Sequence, residues 1–459
     1  MDVNDEVPLA ASFPLPFRVL FLVGMGILGW ATNLHGLQLL GIDGPNTLGL
    51  QKGHVRLPLR TSPHGGQFSA RASYIPVYRF FAGYSIWCFI AWSLYRMATN
   101  SSTALVDVFR YIPAVCLLGV LTVLVCPYDV FYKRERDSFL YASARCLFAN
   151  DKSPIHFSDV VFADFLTSFA KVLGDMWLSV CMLLPGGSML SLPSQDGWYQ
   201  WVLPTLMSLP YLMRLRQCLI EYRSTGYMSR RPLFNVIKYA SSFPVIFLSA
   251  AQRFVVSDLA ETRGPAIARE AWHGEHPLFR LWLLTAVVNS LYSFWWDLTN
   301  DWGLDILTPR SGQSRGPSGH SKTASISGSP HMHTSPPGAL SSLSPVNATG
   351  RHGASYPYGL RPVLLYPLPV YPLVIFFNLL LRMTWSIKLS SHLYSQSDDS
   401  VLIFWLEMAE VLRRWMWVFI RVEWEVVKKG RDAQRTISNG ITDADIELVP
   451  SYNKDGIED

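Results

Sequence analysis

The sequence predicts an all-α protein, a polytopic transmembrane helical bundle of about ten spans with both termini cytosolic. Three observations carry this prediction. Apolar residues make up 49% of the 459-residue chain. Charged residues make up only 16%, where a soluble domain usually carries about 25%. The remaining charge is uneven, gathered in loops, in the tails and at a few points inside long apolar runs.

A helix needs roughly 20 mostly apolar residues to cross a bilayer core. Phe17–Leu40 is the first such run. It lacks a basic leading region and a small-residue cleavage site, so it reads as a span and not as a signal peptide. Pro76–Met97 and Val108–Val125 follow. Phe157–Leu184 is long and carries Asp159, Asp164, Lys171 and Asp175. Trp198–Leu219, Phe234–Ala251 and Leu278–Leu298 come next, and Leu364–Lys388 and Val401–Val422 complete nine clear spans. Asp137–Ala149, short and amphipathic, is a candidate tenth.

Orientation follows lysine and arginine in short loops. Ten spans place Arg223, Arg230 and Arg231 in a cytosolic loop and Lys428, Lys429, Arg431 and Arg435 on a cytosolic tail. Nine spans would instead place the termini on opposite sides. The chain then divides into a short N-terminus (1–16), N-terminal transmembrane helices (17–156), a second transmembrane unit (157–427) and a polar tail (428–459). Within the second unit, residues 308–362 are rich in Ser, Gly and Pro and contain no Asp or Glu, a composition expected to form a disordered cytosolic loop. The sequons at Asn100 and Asn347 both fall on the cytosolic side in this scheme and are expected to carry no glycan.

Several function classes are unsupported. The formal charge of +5 is modest and no basic patch interleaves with aromatics, so nucleic acid is not expected. The six cysteines lie in or beside spans without metal-ligand spacing and read as small apolar packing residues. His320, His331, His333 and His352 have no cysteine or carboxylate nearby to complete a metal site. No nucleophile–base order, phosphate-binding loop or zinc-protease motif appears. Neither an enzyme, a metal nor a cofactor is expected.

The informative residues are ionisable groups inside apolar runs, which are costly in lipid and face cavities or one another. Asp164, Thr167, Lys171 and Asp175 recur at helical spacing and are expected on one face. Lys171 and Asp175 are alternatively a structural i, i+4 pair. Asp297 and Asp301 close a span and are open to reading as boundary residues. Arg214 and Arg216 either snorkel to the interface or serve a buried site. Lys238 and Tyr239 open one span, Arg382 and Trp385 share a face of another, and Glu410, Arg413 and Arg414 sit in the middle of the last. Arginines converging in a membrane cavity make an anion site, because the planar guanidinium stays charged and matches a tetrahedral oxyanion. Carboxylates among them keep binding weak enough for release. These arguments reach an anion pathway without choosing the anion.

Five segments add a resemblance: 210–225 (PYLMRLRQCLIEYRST), 235–241 (NVIKYAS), 290–304 (SLYSFWWDLTNDWGL), 381–388 (LRMTWSIK) and 410–423 (EVLRRWMWVFIRVE). In order and spacing they resemble the EXS domain, a family of phosphate exporters with a fungal Golgi branch named for defective ER retention. The architecture is most similar to that branch, since no room precedes Phe17 for the exporters' regulatory SPX domain. The resemblance implies a phosphate pathway through Asp164, Thr167, Lys238, Tyr239, Asp297, Asp301, Arg382, Trp385, Arg413 and Arg414, with Arg214 a further basic position. It implies an EXS-type unit over 157–427. One position that is basic in the exporters is Leu203 here. The implied role is to return luminal phosphate to the cytosol across the Golgi membrane, with cycling through the endoplasmic reticulum, and to support retention of glycosyltransferases and ER residents. The implied partners are inorganic phosphate, membrane lipid, vesicle-coat or glycosyltransferase-sorting proteins and a second copy in a homodimer. The alternative is a sorting factor that binds coat or cargo without moving phosphate.

Overall fold

The computed structural model describes residues 9–42, 44–48, 73–100, 102–148, 155–191, 193, 197–263, 277–304, 306, 360–361, 363–387 and 399–447. Among these, helices form the architecture and no strand occurs. The long helices are α1 (Leu15–Leu39), α2 (Tyr74–Thr99), α3 (Tyr111–Val125), α4 (Lys133–Leu147), α5 (Phe157–Ser168), α6 (Ala170–Leu183) and α7 (Val202–Ser224). They continue with α8 (Arg231–Ala240), α9 (Ser242–Arg263), α10 (Pro277–Trp296), α11 (Val370–Ile387) and α12 (Asp399–Glu447).

By length and composition, three stretches are apolar enough to cross a membrane: Leu15–Leu39, Thr103–Val125 and Arg231–Val255. The pair α5 and α6, bent by 60°, makes a fourth if it is one span. Large apolar side chains face outward along other helices too, among them Phe89, Leu284 and Phe376. A helix that is apolar on its outer face as well as its inner one suits lipid and not water.

The helices alternate in direction. α1 and α12, the first and the last, therefore run parallel. Phe13 meets Phe404 edge-on at 6.0 Å. Further along, Trp415 Nε1 donates to Thr32 Oγ1 at 2.9 Å. Beyond the end of α1, Lys429 Nζ donates to the Thr47 carbonyl at 3.1 Å. These contacts define a Leu15 end and a Lys429 end of the bundle. α5 and α6 run against α12, with Phe157 beside Arg421 and Ser168 bonded to Glu410.

Helix α4 corrects the expected tenth span. It forms where the sequence placed a candidate, but it does not cross. Its first turn is tied to the end of α3 by Arg136, which donates to the carbonyls of Cys126 and Val130 at 2.8 and 2.7 Å. Its last turn is tied to the start of α5 and to α7: Arg145 pairs with Asp159, and Arg216 Nη1 donates to the Leu147 carbonyl at 2.8 Å. Both ends of α4 therefore lie toward the Lys429 end. Among the described residues the helices make nine passes through the bundle (α1, α2, α3, α5–α6, α7, α8–α9, α10, α11 and α12). An odd number of passes puts Leu15 and Lys429 at opposite ends, where ten spans required the same side. Asn100, the left-handed C-cap of α2, sits at the Leu15 end, away from the basic clusters. Asn347 and the expected loop 308–362 lie outside the described residues except at its last turn, where Leu360 and Arg361 are buried.

Candidate anion site

The site forms where α5 stops. The chain breaks at Phe169, whose backbone leaves the helical region (φ −92°, ψ 7°), and α6 departs at 60°. The break brings Asp164, Thr167 and Ser168, all buried, into the middle of the bundle. It also overturns the expected single face: Lys171 and Asp175 belong to α6 and leave this site. They form the i, i+4 ion pair that was the structural alternative, with Glu407 3.6 Å from Lys171.

Arg214, on α7, is buried and not snorkelled. Its Nε donates to Asp164 Oδ1 at 2.8 Å and lies 3.1 Å from the Tyr239 hydroxyl. That hydroxyl donates to the same carboxylate oxygen at 2.5 Å. Arg216, by contrast, is exposed and only caps the end of α4.

Asp297 and Asp301 are buried acceptors rather than boundary residues. They begin and end a single π-helical turn that closes α10. This five-residue step brings both carboxylates to Lys238, whose Nζ lies 3.0 Å from Asp297 and 3.1 Å from Asp301. Asp297 also pairs with Arg382 and accepts from Asn378 at 3.3 Å. The turn ends at Gly303, where φ is +61° and a Cβ would lie 2.5 Å from the Trp424 ring. Glycine is therefore required on both backbone and steric grounds. Behind it, Arg361 donates to the Trp302 carbonyl at 2.7 Å and pairs with Glu423, which accepts from Tyr371 at 2.5 Å.

Helix α12 supplies the last two cations. Arg413 grips Glu410, with Nη2 2.5 Å from Oε1 and Nε 3.1 Å from Oε2. Arg414 points the other way. Its Nε donates to Ser168 Oγ and its Nη2 to Thr167 Oγ1, each at 3.0 Å, and its guanidinium lies 4.6 Å from the Trp417 ring.

Between these groups lies a cavity with about 30 Å³ of space for the centres of water-sized atoms. One water needs roughly 10–15 Å³ on that measure. Of the residues expected from sequence, Asp164, Thr167, Lys238, Tyr239, Arg382, Arg413 and Arg414 line it. Arg214, Asp297 and Asp301 stand directly behind, holding the lining residues. The Trp385 side chain lies outside the described residues. Leu203 is buried among apolar neighbours and packs on Gly174, away from the cavity.

The structure adds lining residues that sequence reasoning missed: Tyr211, Ser242, Asn289 and Ser293. Glu410 was noticed but not assigned to the site. Asn289 and Ser293 sit four apart in an apolar run, a polar stripe that was legible in principle.

Five cations (Arg214, Lys238, Arg382, Arg413 and Arg414) face four carboxylates (Asp164, Asp297, Asp301 and Glu410) here. Arg214, Lys238, Arg382 and Arg413 each have a carboxylate within 4.0 Å. Arg414 has only hydroxyls and an aromatic ring among the described residues. Arg382 Nε is in addition a buried donor without a hydrogen-bond partner. A site with one guanidinium that no carboxylate touches directly and a spare donor suits an anion.

Protein ERD1 homolog 1 of Schizosaccharomyces pombe is 28% identical over 430 residues, covering 91% of both chains. Protein ERD1 of Kluyveromyces lactis is 25% identical over 285 residues, 60% of each. A plant protein, Phosphate transporter PHO1 homolog 1 of Arabidopsis thaliana, is 24% identical over 326 residues, 68% of this chain and 32% of its own. The profile of the EXS family matches residues 13–427, and the chain belongs to that family.

Proposed function

We propose that this chain carries inorganic phosphate across the Golgi membrane, returning luminal phosphate to the cytosol, and that this activity is linked to retention of glycosyltransferases and ER residents. The observation that carries the proposal is Arg414, a buried guanidinium facing the cavity with hydroxyl partners and no carboxylate. In this reading Asp164, Thr167, Lys238, Tyr239, Arg382, Arg413 and Arg414 face the ion, and Arg214, Asp297 and Asp301 hold them in place. No bond of the ion is made or broken, so the protein acts as a transporter and not as an enzyme. The choice of phosphate is supported by the family and by the named activity of the plant relative. The Golgi and retention reading is supported by likeness to the ERD1 proteins.

The test is flux from proteoliposomes that contain the purified protein and are loaded with phosphate. Release faster than from empty vesicles, resistant to competition by sulfate, is expected. Wild-type protein that is folded and gives no release would sink the transport reading.

A second reading has one observation in its favour. Helix α12 does not stop at the bundle but continues to Glu447. A helical extension of this kind suits a sorting factor that docks coat proteins. It predicts normal retention in a variant unable to move phosphate.

A further inference from the structure

Helix α4 lies across one end of a bundle whose other helices pass through it, and the positions of its side chains have a consequence for the surroundings. Arg136 is buried and spends its guanidinium on the carbonyls of Val123, Cys126, Tyr128 and Val130 at the end of α3. Cys146 and Arg145 fix the other end on Asp159. The helix is thus anchored by one face and presents the other. On the presented side Phe131 is 66% exposed, Phe148 78% and Tyr128 74%. Tyr141 is exposed between them, while half-exposed Phe139 meets Phe162 of α5 edge-on at 5.6 Å.

The turn between α7 and α8 repeats the pattern beside it. Tyr227 and Met228 are exposed at its tip, flanked by exposed Arg223, Arg230 and Arg231. Arg216 bridges the two features through the Leu147 carbonyl. Lys133 and Arg134 open α4 itself, with Glu135 and Asp137 interleaved. Asp129 and Glu221 are exposed here too, and the three arginines of the turn leave five cations (Lys133, Arg134, Arg223, Arg230, Arg231) against four carboxylates (Asp129, Glu135, Asp137, Glu221), a net +1. Aromatic and basic side chains on a helix lying flat at a bundle end suit a membrane interface, with rings at headgroup depth and cations on phosphates.

The sign of the two ends says which leaflet this is. Among the described residues the Lys429 end carries Lys133, Arg134, Arg223, Arg230, Arg231, Lys428, Lys429 and Arg431. The Leu15 end carries Arg96, Arg110, Arg253 and Arg280. Lysine and arginine accumulate on the cytosolic side, and anionic lipids concentrate in the cytosolic leaflet.

We propose that α4 and the α7–α8 turn form one docking surface for the anionic lipid headgroups of the cytosolic leaflet. The surface is separate from the cavity and goes beyond the transport reading. It holds whether or not phosphate is the cargo.

Amide hydrogen exchange of the full chain in nanodiscs tests it. Phosphatidylcholine discs are compared with discs that also contain phosphatidylserine. Segments 128–148 and 222–231 are expected to exchange several-fold more slowly with phosphatidylserine, and the core of α12 to be unchanged. The double variant Lys133→Glu, Arg134→Glu should lose most of the lipid-charge effect over 128–148. The pair Phe131→Ser, Phe148→Ser removes the apolar anchors without changing charge, and should speed exchange in both discs. Exchange indifferent to phosphatidylserine in the wild type, or an effect of full size in the charge-reversed variant, overturns the proposal.

Discussion

Arg413 and Arg414 are neighbours in sequence with opposite partners: Arg413 is clasped by Glu410, whereas Arg414 rests on the hydroxyls of Thr167 and Ser168. The first is a direct ion pair and the second meets its nearest carboxylates only through hydroxyls or across the cavity. This difference sorts the basic residues into those that shape the site and the one that gives it its sign.

Arg414→Ala should therefore nearly abolish phosphate flux in a folded protein. A charge-assisted hydrogen bond is worth about 1.5–3 kcal/mol, or one to two decades in affinity. Arg414→Lys should rescue little, because an ammonium cannot span both hydroxyls and an anion as a planar fork does. Reconstituted flux and a phosphate titration of each variant measure this. Wild-type flux in Arg414→Ala would remove the site from the pathway.

Asp301→Asn is expected to slow turnover more than it weakens binding. Lys238 now divides its charge between Asp297 and Asp301. With one carboxylate gone, the site gains net positive charge and holds phosphate longer. A titration showing equal or tighter affinity beside reduced flux is the expected pair of results. Weakened affinity with unchanged turnover would contradict it.

Glu423→Ala should destabilise the protein rather than alter ion selectivity. It leaves Arg361 buried without its carboxylate, and breaking a buried pair costs about 3–5 kcal/mol. The readout is the midpoint of thermal unfolding in detergent, which should fall well below that of Arg414→Ala. Equal midpoints would show that the pair carries no structural load.

The two termini should report from opposite sides of the membrane. On intact vesicles, protease added outside should remove a C-terminal tag and spare an N-terminal one. This follows from parallel packing of α1 and α12 together with the basic Lys429 end. Digestion of both tags would restore a ten-span topology.

Much of the site was legible because charge in an apolar run is conspicuous. Asp164, Lys238, Asp297, Asp301, Arg382, Arg413 and Arg414 all stood out for their cost in lipid, and all are found in or directly behind the cavity. Neutral groups were harder. Tyr211, Ser242, Asn289 and Ser293 carry no such penalty and blend into their helices. The break at Phe169 gave no signal, since neither proline nor glycine marks it in Thr167–Lys171. A continuous helix was the natural expectation, and it wrongly kept Lys171 and Asp175 beside Asp164. Helix α4 was misjudged for a related reason. Its length and amphipathicity fit a weak span and a surface helix equally, and only the anchoring of both its ends at one side decides between them.

Helix α12 has one mechanical consequence. Trp424 and Glu423 fix it to Gly303 and Arg361 at its midpoint, Glu410 and Arg414 meet α5 in its first half, and Glu407 reaches Lys171 nearer its start. No proline interrupts it, and each residue adds about 1.5 Å along its axis. A piston stroke of even one residue would put all three stations out of register together. Any alternation of access must either carry the three as a single shaft or hold α12 still as the stator while α8–α11 swing about it.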